Sequence, residues 1–185
     1  MPIEHPFYFL RHGETTWNAV GRTQGQLDAP LSDLGRQQAL DAAEALKAHK
    51  IERIVASPLS RARDTAEAAG AALSLPVAFD DELMEFNAGE WQGQPRGENI
   101  RAYFMREADP PGGETFQEFA DRAWGAIRRA AALGPNTLIV CHGGLWYAMQ
   151  EYIRMDPPLW PMPNALPIRV SPTDPTWRAE VLTST

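Results

Sequence analysis

Phe7-Tyr8-Phe9-Leu10 runs directly into Arg11-His12-Gly13-Glu14-Thr15. Four consecutive apolar residues closed by polar ones read as a short strand buried on both faces, as strands of a parallel sheet are. The stretch from Arg11 to Leu31 is rich in Gly, Thr, Gln, Asn and Asp and reads as loop or broken helix. A loop of that length in a compact domain is usually functional.

Working outward, Ser32 is a good N-cap for a helix over about Asp33–Lys47, with Leu40, Ala43 and Leu46 on its apolar stripe. Ile54–Ala56 reads as a short strand. Ser57-Pro58 is expected to open a second helix to about Leu73, with proline in the first turn. Val77–Phe79 is a further short strand. Residues 86–113 are irregular, with a short helix around Ile100–Glu107. Thr115 caps a long helix to about Leu133 whose apolar face holds Phe116, Phe119, Ala120, Ala123, Trp124 and Ile127. Thr137–Cys141 is a strand, and the chain after Gly143-Gly144 reads as helix to about Arg154. Seven of the sixteen prolines fall between Pro157 and Pro175, which predicts extended segments and turns, with edge strands near Ile168–Val170 and Trp177–Leu182. Strands alternating with helices predict an α/β fold with a mostly parallel sheet. A length of 185 residues fits a single domain over 1–185.

The net charge of −7 and pI near 5.1 argue against nucleic acid or anionic lipid as a partner. An anionic ligand would need positive charge concentrated locally. The lone cysteine, Cys141, excludes an intramolecular disulfide and a multi-cysteine zinc site. The first residues carry no secretory leader pattern, and the apolar runs are too short to span a bilayer. The expectation is a cytoplasmic protein without a membrane partner; a homodimer is left open.

In α/β sheets ligands bind beyond the carboxyl ends of the strands. Arg11-His12-Gly13 follows the first strand, Ser57 to Arg61 the second, and His142-Gly143-Gly144 the Thr137–Cys141 strand. Two histidines and two arginines thus share one sheet edge.

Arg11-His12-Gly13-Glu14-Thr15-Thr16-Trp17-Asn18 resembles the signature of the histidine phosphatase superfamily, also called the phosphoglycerate mutase-like family. Gly21 to Gly25, Asp28 to Leu31, Gly35 to Ala39 and Ser57 to Ala66 are similar to the next blocks. Glu85 with Gly89, Trp91 and Gly93, then Val140, His142-Gly143-Gly144 and Pro163-Asn164-Ala165, are similar to the last. The ordered set extends over most of the chain. It implies a three-layer sandwich with helices on both faces of a mostly parallel central sheet. It also implies His12 as nucleophile, Glu85 as general acid, and Arg11, Arg61 and His142 as catalytic phosphate contacts. The substrate-binding set would be Arg11, Asn18, Gln24, Arg61, His142, Gly143 and Asn164, with no metal and no cofactor. The departure is Leu166-Pro167 after Asn164-Ala165, where relatives usually carry a small or hydroxyl residue.

The chemistry agrees with the residue types. A neutral imidazole can attack phosphorus, guanidinium forks match phosphate oxygens, and a helix start beside Arg61 favours anions. His142 would add a donor and, when protonated, a charge. A carboxyl group of raised pKa can protonate the leaving alkoxide. His5 and His49, outside the motifs, read as structural or solvent-facing, and Arg22, Arg36 and Arg63, within them, as surface or structural. Cys141 reads as an inert buried thiol. Glu85 competes with Asp80, Asp81, Glu82 and Glu90, and its spacing to Gly89 and Trp91 favours it. The short 86–113 stretch, expected to be a lid-like substrate segment, resembles the small phosphatases. The expected function is hydrolysis of a small phosphorylated metabolite through phosphohistidine. The alternatives are a phosphoglycerate mutase, a phosphoprotein phosphatase or a non-catalytic phosphate-binding module.

Overall fold

The computed structural model describes residues 3–156 and 161–183. Six strands form one sheet in the order β3-β2-β4-β1-β5-β6. They are β1 (Phe7–Arg11), β2 (Arg53–Ala56), β3 (Val77–Phe79), β4 (Thr137–Cys141), β5 (Pro167–Pro172) and β6 (Trp177–Val181). The pairs among β3, β2, β4 and β1 are parallel; β1–β5 and β5–β6 are antiparallel. The helices are α1 (Thr16–Ala19), α2 (Asp33–Leu46), α3 (Ser60–Leu73), α4 (Glu98–Phe104), α5 (Phe116–Ala131) and α6 (Gly143–Met149).

Strand side chains alternate between the two faces of a sheet, and here both faces are covered. Phe7, Phe9, Val55, Ile139 and Cys141 pack with α5 and α6. Tyr8, Leu10, Ile54, Ala56, Leu138 and Val140 pack with α2 and α3. That double burial explains why β1 and β4 are continuous apolar runs. The result is a three-layer α/β sandwich.

The helix starts follow their caps. Ser32 Oγ accepts from Gly35 N–H at 3.0 Å. Thr115 and Glu118 form a reciprocal capping box. Helix α3 departs from expectation: it begins at Ser60, after Ser57-Pro58, and its first amide is capped from a distance by Asp28 Oδ1 at 2.8 Å. The α2 stripe also differs, since alanines 39, 42, 43 and 45 with Leu46 are buried, whereas Leu40 is 57% exposed. Helix α6 stops at Met149, short of Arg154. In the proline-rich tail, β6 is an edge strand but β5 is internal, held between β1 and β6; residues 157–160 lie outside the described residues. No helix among the described residues is long and apolar enough to cross a membrane.

Candidate active site

The carboxyl ends of β2, β4 and β1 lie side by side, and the ladder continues one residue beyond them. His12 N–H donates to Cys141 O and Ser57 N–H to Val140 O, both at 3.0 Å. This register brings His12, His142 and Ser57 together although they are far apart in the chain. The two imidazole centroids are 5.2 Å apart.

His12 is 2% exposed and lines a cavity of about 580 Å³. Its Nδ1 lies 2.7 Å from Gly13 O. A carbonyl can only accept, so Nδ1 carries the proton and Nε2 the lone pair. Burial, then the charges of Arg61 and Arg11, hold the ring well below the usual histidine range, hence neutral at pH 7. The backbone around it is fixed: Asn164 Nδ2 donates to His12 O at 2.9 Å, and Gly13 N–H to Thr65 Oγ1 at 3.1 Å.

Arg61, on the first turn of α3, is fully buried. Its two terminal nitrogens donate to Leu27 O at 2.9 Å and Gly25 O at 2.7 Å, so part of the fork holds the 25–27 loop. Burial brings its pKa down to about 10, opposed by Glu85 and Asp28, and it remains a cation at neutral pH. Arg11 donates from Nη1 to Met162 O at 2.5 Å. Both Nε atoms are buried without a protein partner, as are Thr23 Oγ1, Gln24 Oε1 and His142 Nδ1. Buried polar atoms without partners in native folds call for an explanation; among these the two arginine Nε–H groups are donors and Gln24 Oε1 is an acceptor. Four of these five residues line the same cavity, so an oxyanion there would engage the donors.

His142 stands at the N-terminal boundary of α6 without a side-chain capping bond, behind the open cavity, its Nε2 2.8 Å from Ser57 Oγ. Burial and Arg61 hold it well below the usual histidine range. In this state it is neutral and brings a donor without the charge that a protonated ring would add.

Glu85 follows the turn at Asp81–Leu83. Its Oε2 accepts from Gly144 N–H at 3.0 Å and its Oε1 from Phe86 N–H at 3.1 Å. A Cβ on Gly144 would run into the Glu85 carboxylate, so the glycine is what permits this approach. Burial raises the carboxyl pKa, against the pull of those amides and of Arg61. The segment is tied down by Arg122, which donates to Glu82 O, Met84 O and Glu85 O and pairs with Glu114 at 2.7 Å.

Gln24 and Gly143 line the cavity. Asn18 does not: its Oδ1 accepts from Thr15 N–H at 3.2 Å and serves the cap of α1. Asn164 supports the His12 backbone rather than the cavity wall. Sequence reasoning missed Thr23 and Tyr147 on the wall, Ser57 as partner of His142, and the Arg122–Glu114 clamp. Ser57 lay within a quoted motif; the clamp has no local sequence signal.

Residues 7–184 match the family described as the histidine phosphatase superfamily, branch 1. The chain belongs to the histidine phosphatase superfamily. This histidine phosphatase is 40% identical over 157 residues to glucosyl-3-phosphoglycerate phosphatase of Mycolicibacterium vanbaalenii, across 76% of the chain and 70% of the relative. It is 36% identical over 160 residues to metal-independent phosphoserine phosphatase of Arabidopsis thaliana, across 79% and 66%. It is 35% identical over 147 residues to a Salmonella choleraesuis protein named "Probable phosphoglycerate mutase", across 74% and 68%. Among solved structures, mycobacterial glucosyl-3-phosphoglycerate phosphatase in complex with VO3 superposes with a TM-score of 0.81 at 33% identity, covering 98% of this chain and 100% of that one. The chain is thus a metal-independent phosphatase of this superfamily, with the α/β sandwich of its relatives.

Proposed function

We propose that this histidine phosphatase hydrolyses small phosphomonoesters through a phosphoenzyme formed on His12 Nε2. The observation that carries the proposal is the state of His12. Its proton is committed to Gly13 O, leaving Nε2 unprotonated in a cavity walled by Arg11, Arg61 and Glu85. In the first step Nε2 bonds to phosphorus as the P–O ester bond breaks, and protonated Glu85 gives its proton to the departing alkoxide. Arg11 and Arg61 are the cations available to neutralise the equatorial oxygens, and uncharged Gln24 on the wall and His142 behind it can help orient them. In the second step a water attacks phosphorus, the Glu85 carboxylate takes its proton, and the N–P bond breaks to release phosphate. Residues 86–113, seven of which line the cavity, form a lid-like wall. The negative net charge and the single buried thiol support a cytoplasmic enzyme acting without nucleic acid or a membrane.

The test is phosphate release from a panel of phosphomonoesters with EDTA present, wild type beside His12→Ala. Turnover lost in the variant is expected. Equal turnover in both would overturn the reading. Phosphoryl exchange between phosphoglycerates without net phosphate release would replace it with the mutase reading.

A further inference from the structure

Ser57 stands behind His142, and both residues are fully buried. The β2–β4 ladder brings them together: Ser57 N–H donates to Val140 O at 3.0 Å, and His142 follows directly on β4. The Ser57 hydroxyl then lies 2.8 Å from His142 Nε2. A hydroxyl buried this deeply is costly unless its hydrogen bonds are made, so an alanine would serve a purely structural site as well. The bond to the imidazole can run in two directions, and the direction decides what the far nitrogen of the ring offers.

The surroundings of Ser57 fix that direction. Its Oγ accepts a long bond from Leu59 N–H at 3.4 Å. Among the described residues no acceptor other than His142 Nε2 receives its O–H. A buried O–H without an acceptor is costly, so the hydroxyl donates to Nε2. The neutral ring must then carry its one proton on Nδ1. That Nδ1 is itself buried without a protein partner, and the ring lies against His12 with the centroids 5.2 Å apart. Burial and Arg61 keep the ring neutral, so it brings no charge to a phosphoryl group. What it can bring is an N–H donor. The bridging and terminal oxygens of a phosphoryl dianion only accept, and the opposite tautomer would turn a lone pair on them.

Resting on the phosphatase reading above, we propose that Ser57 is a positioning residue for phosphoryl transfer: its hydroxyl holds His142 in the Nδ1–H tautomer, the form that donates to the phosphoryl group at His12. The chain of donors runs from Leu59 N–H to Ser57 Oγ, from Ser57 O–H to His142 Nε2, and from His142 Nδ1–H to a phosphoryl oxygen. Gly13 O does the matching work for His12, holding its proton on Nδ1 so that Nε2 can attack. Both imidazoles thus carry their proton on Nδ1, one to present a nucleophile and the other to present a donor. Ser57 touches neither substrate nor phosphorus and acts only through His142.

The experiment is long-range proton–nitrogen NMR correlation of the histidine rings at neutral pH, with His142 identified by the signals lost in His142→Gln, beside kinetics of Ser57→Ala and Ser57→Thr. In wild type the His142 ring is expected to be protonated at Nδ1 and bare at Nε2; protonation at Nε2 would overturn the proposal with no variant at position 57 needed. Ser57→Ala should mix or reverse the tautomers and lower kcat/KM and vanadate affinity by about 10- to 100-fold, as loss of a hydrogen bond to a charged group would. Ser57→Thr, which keeps the hydroxyl, should restore the wild-type tautomer and part of the rate. In a His142→Gln background, Ser57→Ala should cost nothing more. An unchanged tautomer in Ser57→Ala, or the full additional loss in the double variant, would overturn the positioning role. Wild type inert on every phosphomonoester, nitrophenyl phosphate included, would instead overturn the phosphatase reading, while the ring spectrum still decides which way the Ser57–His142 bond runs.

Discussion

Replacing Glu85 with glutamine removes a proton donor while keeping nearly the same shape. The carboxylate accepts one amide on each oxygen, from Gly144 at 3.0 Å and Phe86 at 3.1 Å. A glutamine keeps one of these bonds and turns its NH₂ toward the other amide, so the fold should lose about 1–3 kcal/mol. The catalytic loss should be far larger for an alkyl ester, about 10²–10⁴-fold in kcat, because the departing alkoxide no longer receives a proton. A nitrophenyl ester leaves without that help, so rapid-quench measurement of its first turnover should show a much smaller loss. The pH profile adds a second signature. Wild-type kcat/KM should rise with pH as His12 loses its proton, whose pKa lies well below 6.5, and fall as the raised Glu85 carboxyl ionises. The variant should lose the alkaline limb on the alkyl ester. Similar losses on both esters, or less than about 10-fold on the alkyl ester, would refute the general-acid role.

Three further outcomes follow from the same contacts. Gly144→Ala should displace the Glu85 carboxylate, because the added Cβ falls on Oε1; its defect should match that of Glu85→Gln on the alkyl ester and add little to it in the double variant. Arg122→Ala should lower stability by about 1–3 kcal/mol and reduce kcat more than KM, since Arg122 holds the carbonyls of residues 82, 84 and 85; urea melts and kinetics read the two effects. Acid should destabilise the fold below about pH 6.5. His12 and His142 are held neutral in the fold but protonate when unfolded, so stability falls as the pH drops through the free-histidine range, while Glu85, whose carboxyl pKa is raised in the fold, works in the opposite direction. The fall should be shallower in His142→Asn, which a urea-melt series across pH 5–6.5 would show.

The parts of the fold legible in the sequence are those with local causes. Strands β1 and β4 are buried on both faces and so are unbroken apolar runs. Helices α2 and α5 begin where Ser32 and Thr115 cap them. The start of α3 was misplaced because its cap, Asp28, comes from another part of the chain, while Ser57 points its hydroxyl to His142. The internal place of β5 depends on its pairing with β1, which proline content does not encode. At the site, the strand-end rule and the ordered motifs located His12, Arg61, Glu85 and His142. They left hidden that Asn18 is taken up by its own helix cap, that His142 is neutral, and that Arg122 braces the acid. Each of those is a property of tertiary contacts and burial rather than of a residue's neighbours in the chain.

In the proposed mechanism the phosphoryl group passes through His12. Acid-stopped and base-stopped first turnovers of a phosphomonoester, followed by intact-mass and peptide mapping, test it directly. One phosphoryl group per chain is expected on His12, stable in base and labile in acid, and none in His12→Ala. Full single-turnover phosphate release with no phosphoenzyme at any time point, or a phosphoryl group mapped to another residue, would contradict it.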